Sequence, residues 1–157
     1  MLSGQAGTAV VEFALVLPLF LVLVIGMVDF GKGLNYWITE THLANQGARF
    51  AVVDRNPGEL TGDTLQQYIR TSASSDELED GGTNSVEDAL AVCIEFPEGE
   101  PAAAGDPVTV RVLTKYNWMP FLDANLGVSA ITITGSATMR LEATPTKYDT
   151  ADNSEEC

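Results

Sequence analysis

The run from Phe13 to Val28 holds no charged residue, and it limits what this chain can fold into more than any other stretch. Glu12 stands at its head, and Gly7 lies five positions before that carboxylate. Counted from Thr8, the apolar segment is about 21 residues, or ~31 Å of helix at ~1.5 Å per residue, enough to cross the hydrocarbon of a bilayer. Pro18 would break most soluble helices, but a membrane helix accommodates proline where neighbouring groups satisfy the freed carbonyl. The segment 8–29 therefore reads as a transmembrane helix. A removed secretory signal fits poorly, because the run exceeds the ~7–15 residues of such an h-region and Met27–Lys32 offers no small-residue cut site.

Glu12 needs an explanation of its own. An ionised side chain deep in hydrocarbon costs about 2.5–3.5 kcal/mol on insertion scales, so it requires a positive partner. The other reading places it at the helix mouth, level with the headgroups, where the N-terminal dipole favours an acid.

Beyond the apolar run, Phe30, Leu34, Trp37, Ile38, Thr41, Ala44, Ala48 and Ala51 recur at three- and four-residue steps, a helical stripe. Asn35, Glu40, Asn45 and Gln46 fall between them. This pattern predicts one helix from about Thr8 to Val53, bent near Pro18, Gly26 or Gly31–Gly33, with its stripe turned toward a folded domain. Gly47 and Ala48 permit close approach of another element. Arg49 has two structural readings: a two-pronged grip on a carboxylate or on carbonyls, or a late-helix cation favoured by the C-terminal dipole. Pro57 ends the helix. A short helix follows, with Asp63 as expected cap and Leu65, Tyr68, Ile69 and Ala73 on one face. The acidic stretch 74–85 reads as an exposed loop; its carboxylates do not follow EF-hand spacing, and no metal site is expected.

Period-two alternation takes over afterwards. Leu90, Val92, Ile94 and Phe96 share one face, with Cys93 and Glu95 on the other. Val108, Val110 and Val112 repeat the pattern, as do Ile131, Ile133, Gly135, Ala137, Met139 and Leu141. One apolar face per strand implies an antiparallel sheet covered on one side, and the upper helix is the obvious cover. The fold class is therefore α+β: a long N-terminal helix, transmembrane below and amphipathic above, laid on a small antiparallel sheet. The connection 116–128 is apolar for a loop. Trp118, Phe121 and Leu122 either fold back to close the core or form an interaction loop against a sister subunit or the outer membrane leaflet.

Composition narrows the function classes. Asp and Glu total 22 against 8 Lys and Arg, a formal net charge of −14, which repels nucleic acid and anionic headgroups alike. Gly-x-Ser-x-Gly, His-Glu-x-x-His, Cys-x-x-Cys and phosphate-binding glycine loops are missing, and His42 is the single histidine. The sequence offers no catalytic residues and implies no cofactor.

The residues around the apolar run resemble those of a known family. Gly7 followed by Glu12-Phe13, the run Val10–Pro18, then Asp29-Phe30-Gly31-Lys32 and Ala44–Arg49 are similar to TadE-like pseudopilins, minor pilins of the tight-adherence type IV pilus system. The resemblance implies cleavage between Gly7 and Thr8 by a prepilin peptidase. It also implies that Glu12, with Phe13 beside it, registers assembly by pairing with the new α-ammonium at Thr8. Further implied partners are other pilins and pseudopilins, the inner-membrane pilus assembly platform and the lipid bilayer. The implied location is the cytoplasmic membrane, single-pass, with the C-terminal domain outside the cytoplasm or in an extracellular pilus. The resulting plan is a leader at 1–7, a transmembrane segment at 8–29, an amphipathic extension at 30–53, an exported α+β domain at 54–143 and a flexible polar tail at 144–157. Export permits a disulfide, and Cys93 lies within reach of a tail carrying Cys157; two separate thiols are the alternative. The competing functional class is a single-pass anchored binding module that never polymerises.

Overall fold

A computed structural model describes residues 3–119 and 130–157. The chain divides into two compact units, Met1–Lys32 and Gly33–Cys157. One helix, α1 (Ser3–Val52), runs through both and is unbroken at Pro18. It is long and apolar enough to cross a membrane. In the first unit nearly every large apolar side chain is exposed, which suits a helix whose surroundings are lipid or other helices.

The second unit adds α2 (Leu65–Thr71), α3 (Asp76–Asp80) and three strands, β1 (Ala91–Glu95), β2 (Pro107–Tyr116) and β3 (Ile131–Arg140). The strands form an antiparallel sheet in the order β1-β2-β3, so the layout is α+β. The β2–β3 ladder is continuous from Pro107 opposite Arg140 to Tyr116 opposite Ile131. Val92, Ile94, Val108, Val110 and Val112 point to one side and are buried with Leu43, Ala44, Ala48 and Ala51 of α1. Ala91, Cys93 and Leu113 make a smaller cluster of their own.

Small residues set how closely helix and sheet approach. A Cβ added at Gly47 would lie 2.5 Å from Ile69 Cδ1 and 3.2 Å from Val110 Cγ1. One added at Gly135 of β3 would collide with the α1 backbone at Glu40 and Thr41. Gly47→Ala is expected to destabilise this unit by about 1–2 kcal/mol: overpacking costs about 1–3 kcal/mol and alanine returns less than that in helix propensity. Urea unfolding of the detergent-solubilised chain checks this, and an unchanged midpoint would contradict the close contact.

Two local expectations need correction. Thr64, not Asp63, caps α2: its hydroxyl accepts the Gln67 N–H at 3.2 Å while the Gln67 side chain accepts the Thr64 N–H at 3.4 Å, a reciprocal capping box. Asp63 instead accepts the Thr61 hydroxyl at 2.6 Å. The acidic stretch 74–85 is not all loop, because α3 forms there. Leu78 is buried and its carbonyl accepts the Leu90 N–H at 2.9 Å, which ties the turn to the sheet.

The tail is tied down along the outer edge of β1. The Asn153 side chain imitates a strand residue: its Oδ1 accepts the Ile94 N–H at 2.8 Å and its Nδ2 donates to the Ile94 carbonyl at 2.9 Å. Ser154 accepts the Val92 N–H at 3.0 Å through its hydroxyl and donates its own N–H to the Val92 carbonyl at 3.3 Å. Tyr148 is buried, donating its hydroxyl to the Ala51 carbonyl at 2.8 Å. A disulfide joins Cys93 to Cys157 with Cα atoms 5.7 Å apart. These contacts satisfy amides that an edge strand would otherwise leave open.

Candidate assembly interface

The two units carry different surfaces. In the first, α1 carries Glu12 and Phe13 on exposed positions, with Phe13 63% accessible. Gly7 lies within α1, and no atom from beyond its own stretch of helix comes within 4 Å of where a Cβ would stand. Pro18 is exposed as well, with Leu15, Val16, Leu19 and Phe20 around it. Chemically this is an apolar rod with one acid near its head, and an added positive group next to that acid would lower the cost of keeping it ionised in hydrocarbon.

In the second unit, the helix face turned to the sheet is not the expected stripe. Leu34, Trp37 and Ile38 are 44%, 51% and 60% exposed, and Phe30 of the first unit is exposed too. The buried positions are Tyr36, Glu40, Leu43, Ala44, Gly47, Ala48 and Ala51. Only the upper part of the stripe, Ala44, Ala48 and Ala51, faces the core. The physical reason is the close approach described above: glycine and alanine admit the sheet, whereas Trp37 and Ile38 would hold it away.

Glu40, read from the sequence as an intervening polar position, is fully buried. Neither of its carboxylate oxygens has a hydrogen-bond partner among the described residues, and burial pushes its pKa up to about 9. It is therefore a neutral acid at pH 7. Its neighbour one turn below, Tyr36, donates its hydroxyl to Glu77 of α3. Burial, and then the Glu77 carboxylate, hold that phenol protonated well above its usual range. Tyr36, Tyr116 and Trp118 stack edge to face, with ring centroids 5.6 Å apart at each step. Trp118 is thus packed against the core, while Phe121 and Leu122 lie outside the described residues.

Gly47 sits in the helix–sheet contact, but Arg49 does not. It is exposed on the last turn of α1 and makes no hydrogen bond or ion pair among the described residues. Of its two readings, a grip on a carboxylate or on carbonyls is not seen among the described residues, and a late-helix cation is consistent with its place on the last turn. Arg49 lines an open groove of about 390 Å³ with His42, Asn45, Gln46 and Phe50. No group of carboxylate, histidine or cysteine side chains suited to a metal ion occurs among the described residues.

Sequence reasoning missed the burial of Glu40 and Tyr36. The available signal was the spacing of small residues, since Ala44, Gly47, Ala48 and Ala51 extend downward by helical steps to Glu40 and Tyr36.

Comparison with known proteins bears on this helix. Residues 7–49 match the family described as TadE-like protein, which agrees with the resemblance carried by Val10–Pro18, Asp29–Lys32 and Ala44–Arg49. No curated protein and no solved structure matches the chain.

Proposed function

We propose that this chain, similar over residues 7–49 to TadE-like proteins and through them linked to the Tad pilus, is a minor pilin that takes part in assembling or anchoring that pilus. The observation that carries this reading is the coincidence of the matched segment with an exposed apolar helix bearing one acid near its head. Such a helix can sit in the membrane as an anchor and pack laterally against the corresponding helices of other pilins. Cleavage between Gly7 and Thr8 would create an α-ammonium four residues before Glu12. That pair supplies the counter-charge a carboxylate needs in hydrocarbon, and it registers one helix against the next.

Removal of the carboxylate tests the mechanism. Glu12→Ala is expected to leave the Gly33–Cys157 unit folded and the chain in the membrane, while incorporation into sheared pili falls at least tenfold. Quantitative immunoblotting of pilus and membrane fractions measures both. Normal incorporation of the variant would overturn the registration mechanism, and an uncleaved N-terminus in native membranes would favour a monomeric anchored module.

A further inference from the structure

The tail that closes the β1 edge also walls a pocket. Pro145, Tyr148 and Asp149 face Phe96, Glu100 and Pro101 of the connection between β1 and β2 across about 450 Å³. Both walls are held in place. The Phe96 and Tyr148 rings stack with centroids 6.3 Å apart, and the Tyr148 hydroxyl is turned away to the Ala51 carbonyl. The Thr150 hydroxyl donates to Glu100 Oε1 at 2.7 Å, which ties one wall to the other. The body of the pocket is thus aromatic and prolyl, and its ionisable groups are the carboxylates of Glu100 and Asp149. Each carboxylate has one oxygen already engaged: Glu100 Oε1 by Thr150, and Asp149 Oδ1 by the amides of Ala151 and Asp152. The other two oxygens make no hydrogen bond or ion pair among the described residues. Open carboxylates are common on a chain of net charge −14, but here they flank a concave apolar wall whose lining holds no cation. The groove beside Arg49, and the cleft between α2 and Ser154 where Arg70 accompanies Asp152, each carry a positive charge of their own.

We propose that this pocket receives a lysine side chain presented by a different protein. The site is independent of the pilin reading. Charge complementarity and hydrogen-bond count select the occupant. An ammonium brings positive charge and several N–H donors on an apolar stem, so it can reach two separate acceptors while its methylenes lie along the rings and prolines. A guanidinium fork matches both oxygens of one carboxylate, whereas here each carboxylate offers a single oxygen. A quaternary ammonium would gain from the aromatic wall but has no N–H for either oxygen. A second copy of this chain is a poor donor. Lys115 and Lys147, its lysines beyond α1, are already ion-paired, and two chains of net charge −14 repel each other.

NMR titration of the detergent-solubilised full-length chain, followed at the ring protons of Phe96 and Tyr148, tests this. The probes are the blocked peptide acetyl-Gly-Lys-Gly-amide and the same peptide with norleucine, acetyl-lysine or arginine at its centre. The lysine peptide is expected to shift both rings and to bind about tenfold more tightly than the norleucine or acetyl-lysine peptide. Glu100→Gln keeps a carbonyl for Thr150 and should weaken binding of the lysine peptide about fivefold. Glu87→Gln removes an exposed carboxylate at the far end of β2, where the Glu87 N–H meets the Lys115 carbonyl, and should leave binding unchanged. Rings that do not move would overturn the proposal. So would equal affinity for any of the three control peptides, or an equal loss in Glu87→Gln, which would trace the attraction to net charge alone.

Discussion

Glu40→Leu is expected to raise the unfolding free energy of the Gly33–Cys157 unit by about 2–4 kcal/mol at pH 7. The residue is fully buried, its two oxygens lack partners among the described residues, and burial moves its pKa from 4.5 up to about 9. In the unfolded chain the acid ionises near its ordinary value, so between pH 4.5 and about 9 the folded state holds one proton more. Stability consequently declines by about 1.4 kcal/mol per pH unit through that window, and levels off above it. Below the lower limit the acid is neutral in both states and the penalty vanishes. Leucine removes the ionisable group while occupying a similar volume. Urea midpoints of the detergent-solubilised chain at pH 5, 7 and 8.5 should fall in the parent and fall less steeply in the variant. Parallel declines would show that Glu40 does not control the pH response. Asp54 works in the opposite direction: partial burial alone would raise its pKa, but hydrogen bonds from Thr146 and Lys147 outweigh burial and lower it. Its contribution is present above its ordinary value of 3.8 and lost as pH falls further.

Breaking the disulfide is expected to have an effect of similar or larger size. Cys93 and Cys157 are 64 positions apart, and closing a loop of that length corresponds to about 4 kcal/mol in the chain-entropy account. Cys157→Ser should lower the urea midpoint accordingly, and treatment of the parent chain with a thiol reductant should reproduce the shift. The damage should also be local. Val92 and Ile94 depend on Ser154 and Asn153 for their outward hydrogen bonds, so their amides should lose protection first in hydrogen exchange. Protection at those two amides that survives reduction would mean the tail holds the edge without its covalent tie.

The strands were legible because their apolar residues alternate, so Val108, Val110 and Val112 announced themselves by period two; that β1 buries its second face too, under Ala91 and Cys93, was not. The end of α1 was legible from Pro57, and the membrane segment from sheer length without charge. The facing of α1 was not, and the reason is physical. Counting large apolar residues finds a core only when the core is the single apolar environment on offer. Here Phe30, Leu34, Trp37 and Ile38 are exposed, while glycine and alanine mark the face that packs. Glu40 was hidden for the same reason, since an acid on the packed face looks like an acid on the wet one until the helix is oriented. The tail looked loose because Asn153, Ser154 and Thr146 are polar. Their side chains stand in for backbone partners, and no hydrophobic pattern records that.

The strap across β1 also fixes an order of events. Its two ends are far apart in sequence, so the covalent tie cannot form until the later cysteine has emerged beside the earlier one in an oxidising space. Until then Ala91–Glu95 is guarded against stray pairing with other extended chains only by the hydrogen bonds from Asn153 and Ser154. Oxidation would thus act as a timer on this domain, securing the margin last.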